Sequence, residues 1–214
     1  MVIRRGIRVR RIDESSQMKA ESDSERIIAA KANLRKQTVE NLALLTPEQK
    51  AIRSEAARRR LTGQSIWQKA QSILFFAPRL DELDIWPLLA MALEEQKIVA
   101  LPRYITGNKS YKACRVNDLS SDIGPGQFGI REPLAHCPEV ALNWLDLILV
   151  PGVAFDLHGR RLGRGKGFYD QLLKTVRGTT CGVAFDEQIV SEVPVEPHDI
   201  HLNCLLTPTR WIEL

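Results

Sequence analysis

The sequence predicts an α/β fold of three layers, an open and mainly parallel sheet flanked by helices. Three observations carry that expectation. Short continuous apolar runs, such as Leu147-Ile148-Leu149-Val150 ahead of Pro151-Gly152, read as strands buried on both faces, as in a covered parallel sheet. Between such runs lie segments with apolar residues at helical spacing, so strand, helix and strand alternate and imply right-handed crossovers. One strand-to-helix junction, "GRRLGRGKGFYDQLL" (159–173), is crowded with glycines and cations, and such junctions are where open α/β sheets bind anions.

The chain of 214 residues, 44% hydrophobic, suits one well-buried domain, expected over residues 25–214. Residues 1–24 are rich in arginine, lack the apolar core of a signal peptide and run into Asp13, Glu14, Glu21 and Asp23. They are expected to be a disordered, dispensable extension; a transit peptide or nucleic-acid arm is the alternative. After Ser24, Ile27, Ile28, Leu34, Leu42 and Leu45 lie on or near one helical face, and Lys31 and Arg35 project side by side from another part. "TPEQ" offers Thr46 as N-cap, Pro47 in the first turn and Gln49 closing a capping box, so a second helix runs to about Leu61 and a helical hairpin opens the fold.

The middle alternates. "SILFFAP" (72–78) is a strand, "DIWPLLAMALEEQ" (84–96) a helix with Pro87 in its first turn, and "KIVALPRY" (97–104) the next strand. Lys112 to Val116 is an antiparallel addition, and residues 117–138, with "QFGIREP", form a long loop of the kind that often carries function. After Leu147–Val150 and the basic loop, Phe168, Leu172, Leu173 and Val176 mark a helix that Gly178 stops. "TTCGVAFDEQ" and "NCLLTPT" supply the late strands.

Composition narrows function. A net charge of +4, partly held in the first eleven residues, does not demand nucleic acid, and no stretch is apolar enough to cross a membrane. The four cysteines, Cys114, Cys137, Cys181 and Cys204, include no CxxC pair, and the histidines show no ligand spacing with them, so buried thiols in a reducing compartment are expected. The basic loop has two readings, a solvated surface or a phosphate cradle in which Gly163, Gly165 and Gly167 let backbone N–H groups approach while Arg161, Arg164 and Lys166 supply charge. Its place between strand and helix favours the cradle. It is neither a Walker loop, whose first glycine falls on Arg160, nor a dinucleotide fingerprint, whose last glycine falls on Phe168 or Asp170. His158 beside Asp156 reads as a turn residue rather than an acid–base catalyst.

"KANLRKQ", "LPRY", "DLILVPGVAFDLHGRRLGRGKGFYDQLL", "VAFDEQI" and "VPVEPHD" stand in the order seen in the 5-formyltetrahydrofolate cyclo-ligase (5,10-methenyltetrahydrofolate synthetase) family, which the chain resembles over residues 25–208. The resemblance implies a Rossmann-like architecture, shared with sugar-phosphate isomerases and CoA transferases, and an ATP- and Mg2+-dependent conversion of 5-formyltetrahydrofolate to 5,10-methenyltetrahydrofolate. It places ATP on Lys31, Arg35 and the loop Arg161, Leu162, Gly163, Arg164, Gly165, Lys166, Gly167, Phe168 and Tyr169, with Lys166 and Arg164 acting on the transferring phosphate. It places the folate against Glu82 of "RLDEL", Phe128 and Phe168, the last two standing where some relatives carry Trp and Tyr. It makes Asp170 and Asp199 the magnesium ligands, with helix or turn capping as their ordinary alternative. A cytoplasmic monomer without nucleic-acid or membrane partners is expected. An isomerase or transferase on the same architecture, or a nucleotide-binding protein without catalysis, remain the other readings.

Overall fold

The computed structural model describes residues 14–107, 110–195 and 200–214, with side chains from residue 25 onward. Helix α1 (Glu14–Ala43) is followed by α2 (Pro47–Thr62) and the short α3 (Ser65–Lys69). It begins ahead of the Ser24 boundary expected for the domain, so residues 14–24 continue the helix. The capping box predicted before α2 is formed: Gln49 N donates to Thr46 Oγ1 at 3.1 Å and Thr46 N to Gln49 Oε1 at 2.9 Å.

Strand β1 (Ser72–Leu74), helix α4 (Trp86–Glu94) and strand β2 (Ile98–Ile105) make the first crossover, and β3 (Ser110–Val116) returns antiparallel to β2. The segment 117–138 is not a plain loop; it contains a small hairpin, β4 (Ile123–Pro125) and β5 (Arg131–Pro133). Strand β6 (Leu147–Val150) leads into a second small hairpin, β7 (Ala154–Phe155) with β8 (Arg161–Leu162), then helix α5 (Phe168–Leu173). Strands β9 (Thr179–Val183), β10 (Cys204–Leu206) and β11 (Trp211–Glu213) finish the chain. Among the described residues the central sheet runs β11-β10-β9-β6-β1-β2-β3, parallel except at its two edges.

Alternate side chains of the buried strands face opposite layers, as a sheet covered on both sides requires. Ile73, Val99, Leu101, Leu147 and Leu149 pack with Leu61 of α2, Trp67 of α3 and Leu88 and Leu89 of α4. Leu74, Ala100, Ile148, Val150 and Leu205 pack with Leu172 and Leu173 of α5. The three-layer expectation therefore holds. Lys97, 8% exposed, is tolerated inside because its ammonium donates to the carbonyls of Trp67 and Ala70 at the end of α3. At Gly178 a Cβ would stand 2.1 Å from the Leu145 carbonyl oxygen, so the chain passes from α5 into β9 only without a side chain there.

Two elements are shorter than the sequence pattern implies. Strand β1 ends at Leu74; the Phe75 N–H still donates to the Ala100 carbonyl at 2.9 Å, and Phe76 to Pro78 continue outside the ladder. Helix α5 ends at Leu173, with Val176 packing beyond it, so its macrodipole is too short to lend much to an anion site.

Candidate active site

Strand β1 sits between β2 and β6, so the chain leaves it in one direction and returns on its other side, and a crevice opens where the order reverses. A cleft of about 160 Å3 lies there. Phe76 and Ala77 after β1, Pro102 of β2 and Pro151-Gly152 after β6 form its floor, Phe128, Ile130 and Glu132 of the β4–β5 hairpin one wall, and the basic loop the other. In that loop Gly165 and Gly167 have φ of +90° and +67°, a conformation that disfavours any side chain.

The loop's cations are matched one by one. Arg161, its side chain 4% exposed, ion-pairs with Asp170, donates to the Pro151 carbonyl and lies 5.7 Å from the Tyr169 ring. Arg164 Nη2 reaches both carboxylate oxygens of Asp81 at 2.8 and 2.9 Å and Glu82 Oε1 at 3.2 Å. Lys166 Nζ stands 3.3 Å over the Phe128 ring. Arg35 Nε donates to the Gly163 carbonyl at 2.9 Å, bringing α1 to the loop. Leu34 explains that docking, since it packs beside Ala154, Leu162 and Val193. Lys31 is half-buried one turn earlier on α1. Like-charge repulsion in the loop is thus relieved by named acids, a carbonyl and a ring.

Of the expected residues, Arg35, Arg161, Gly163, Arg164, Gly165, Lys166, Gly167, Phe168, Tyr169, Asp170, Glu82 and Phe128 meet around this cleft. Leu162 instead turns into the small core under the β7–β8 hairpin. Asp199 lies outside the described residues. Burial raises the Glu82 carboxyl above its ordinary range, opposed by the Arg79 N–H and by Arg164. Burial likewise raises the Tyr169 hydroxyl, so it stays a neutral donor. His158 is the turn residue expected: its N–H and that of Arg160 both donate to Asp156 Oδ1, and the Val193 N–H to Oδ2.

Three contributors escaped the sequence. Tyr104 and Tyr111 face each other across the β2–β3 ladder and join Phe128 and Phe168 in an aromatic cluster with edge contacts of 5.1 to 5.5 Å between centroids. Burial with the nearby Glu132 pushes the Tyr111 hydroxyl up to about 12. Glu132, buried in the hairpin wall, accepts the Tyr104 N–H at Oε2, while its Oε1 has no partner among the described residues. Burial raises its carboxyl as well. The signal for the tyrosines was the antiparallel pairing of residues 97–104 with 112–116, whose register sets Tyr104 against Tyr111. Glu132 gave none, because nothing in "QFGIREP" tells an inward from an outward acid.

The arrangement sets a run of glycine backbone and cations beside an aromatic slot with two buried acids. The model of the 5-formyltetrahydrofolate cyclo-ligase family matches residues 27–208. The 5-formyltetrahydrofolate cyclo-ligase of Mus musculus is 29% identical over 195 residues, 83% of this chain and 93% of the relative, and that of Escherichia coli K12 is 32% identical over 173 residues, 78% and 93% of the two chains. The solution structure of Aquifex aeolicus 5,10-methenyltetrahydrofolate synthetase superimposes with a TM-score of 0.78 at 35% identity, covering 86% of this chain and 92% of that one. By the span of that family match and the shared fold, the chain belongs to the 5-formyltetrahydrofolate cyclo-ligase family.

Proposed function

We propose that this protein cyclises 5-formyltetrahydrofolate to 5,10-methenyltetrahydrofolate, consuming ATP with magnesium and releasing ADP and phosphate. The observation that carries the reading is the meeting of the glycine loop with the aromatic slot, Lys166 lying over Phe128, in a chain matched to the family along nearly its whole domain.

The chemistry explains the need for ATP. An amide-like formyl oxygen is a poor leaving group, so the ring cannot close by simple loss of water. In the proposed route that oxygen attacks the γ-phosphorus and the bond to ADP breaks; N10 then adds to the activated carbon and gives up its proton, and phosphate leaves with the oxygen. No side-chain nucleophile takes part. The protein's share is placement and charge. Gly163, Gly165 and Gly167 leave the loop backbone open to phosphates, with Leu162 anchoring the loop beneath, and Lys31, Arg35, Arg161 and Arg164 line its approach. Lys166 moves from the Phe128 face to the transferring phosphoryl oxygens, a shift its flexible stem permits. Phe168 and Phe128 stack against the pterin, Tyr169 walls the slot, and Glu82 accepts hydrogen bonds from pterin nitrogens.

Hard carboxylate oxygen suits magnesium, and Asp170 at the cleft edge fits that role, with Asp199 as its expected partner. Bound there with the phosphates, magnesium would supply neutralisation of their charge. The four free and buried cysteines support placing this chemistry in the cytoplasm, and we take the working unit to be a monomer. Among the described residues no helix is long and apolar enough to cross a membrane. Mixing protein, 5-formyltetrahydrofolate and Mg-ATP should produce the near-ultraviolet absorbance of the methenyl product only when all are present. Product formed without nucleotide would refute the phosphorylation route.

A further inference from the structure

The sequence shows no ligand spacing between histidines and cysteines, yet folding creates one. Among the described residues, Asp122, His136 and Cys137 present donor atoms that all lie within 4.8 Å of one another, and none of the three lines the cleft. Asp122 immediately precedes β4, and His136-Cys137 follow β5 by two residues, so the three meet at the base of the hairpin.

The carboxylate is set for a ligand. Asp122 Oδ2 is held by the N–H groups of Asn117 and Asp118 at 2.7 and 3.1 Å, which leaves Oδ1 turned toward His136 Nε2 at 2.9 Å. The Cys137 thiol is buried beside it and donates to the Asp122 carbonyl at 3.4 Å. Arg103 Nη1 donates to the carbonyls of Leu134 and Cys137, fixing this turn against β2. A plain Asp–His hydrogen bond would account for two of the three groups. It leaves the Cys137 sulfur, held on the Asp122 main-chain carbonyl, as a third donor within 4.8 Å of the other two.

We propose that Asp122, His136 and Cys137 bind a divalent transition metal of the zinc class, clipping together the two ends of the β4–β5 hairpin. One oxygen, one imidazole nitrogen and one sulfur form a mixed donor set that zinc accepts in tetrahedral geometry, with water as the fourth ligand on the exposed side of His136. Bond lengths of about 2.0 Å to oxygen and nitrogen and about 2.3 Å to sulfur bring such donors closer than 4.8 Å, and the exposed His136 ring is the group free to pivot inward. On binding, the Cys137 thiol releases its proton to solvent and ligates as thiolate, while His136 ligates as neutral imidazole. The hairpin carries Phe128 at its tip and Glu132 on β5, so the clip would steady one wall of the cleft.

The test uses the full chain, stripped of metal with chelator and titrated with Co2+ in magnesium-free buffer. One equivalent should bind, giving the visible bands of a tetrahedral site and a near-ultraviolet sulfur-to-cobalt band, and Zn2+ should displace it. Cys137→Ser should abolish the sulfur band, and His136→Ala should weaken binding by about tenfold or more, whereas the exposed His201→Ala should bind unchanged. Should Cys137→Ser fail to fold, the surface variant His136→Ala still decides the matter. No sulfur-to-cobalt band in the unaltered chain, or wild-type affinity in His136→Ala, overturns the assignment.

Discussion

Replacing Lys166 with alanine separates the cradle from a solvated loop. Arg161 and Arg164 face carboxylates, whereas Lys166 has the Phe128 ring at 3.3 Å and, among the described residues, no carboxylate partner. Its ammonium is therefore the loop charge most easily transferred to a phosphate. Phe128 is 42% exposed, so losing the contact should cost about 0.5–1 kcal/mol of stability. For a domain of this size that is a fall of about 1–4 °C in thermal midpoint. A cation on the transferring phosphoryl oxygens is comparable to an oxyanion-hole donor, about 2.7–4 kcal/mol, which is about a hundred- to thousandfold in kcat. The two effects differ enough to be told apart. Initial rates from methenyl absorbance at saturating Mg-ATP, beside a thermal melt, should show kcat falling by that factor with the folate KM little changed, and Lys166→Arg recovering part of it. A kcat within about fivefold of wild type in a folded Lys166→Ala protein would remove Lys166 from the chemistry.

Three further outcomes follow from the same geometry. Asp170→Asn should raise the magnesium concentration for half-maximal rate and also destabilise the fold by about 1–3 kcal/mol, since it takes the carboxylate from the buried Arg161; Asp199→Asn should raise the same concentration, and an unaltered magnesium requirement in Asp170→Asn would dismiss it as a ligand. Glu132 has a raised folded pKa, so its stabilising contribution is complete below the ordinary glutamate range and lost as pH rises through the folded value; Glu132→Gln should gain on wild type in thermal midpoint between pH 4 and pH 8, and a pH-independent difference would contradict a buried, under-partnered carboxylate. Deleting residues 1–24 should leave turnover within about twofold, or ~0.4 kcal/mol of barrier, because Leu34 and Arg35 make the contacts that dock α1; a hundredfold loss would show that the extension belongs to the site.

The fold was legible where burial pattern and backbone chemistry coincide. Leu147 to Val150 is apolar throughout because both faces are covered, and the Thr46–Gln49 box advertised the start of α2. Helix α5 was read too long because Val176 keeps helical spacing while packing from just past the turn at residues 174–175. The β4–β5 hairpin was invisible since its strands are three residues each and contain Pro125 and Pro133, which weaken any strand pattern. Within the site, the glycines and cations of the loop could be read directly. What each cation touches could not, because Asp81, Glu82 and Phe128 come from loops whose approach depends on the sheet order.

The bond from Arg35 to the Gly163 carbonyl joins residues 128 positions apart, and Leu34 seals the same junction against Leu162 and Val193. During synthesis α1 emerges early, while the backbone it will hold is made only after three-quarters of the chain has been translated. No shorter nascent fragment can possess the cradle, however well its helices form. Long-separated contacts of this kind are slow to close and leave apolar surface waiting for its cover. A chain terminated before Gly163 therefore carries α1 with nothing for Arg35 to hold, and one terminated before Val193 leaves the Leu34 junction unsealed.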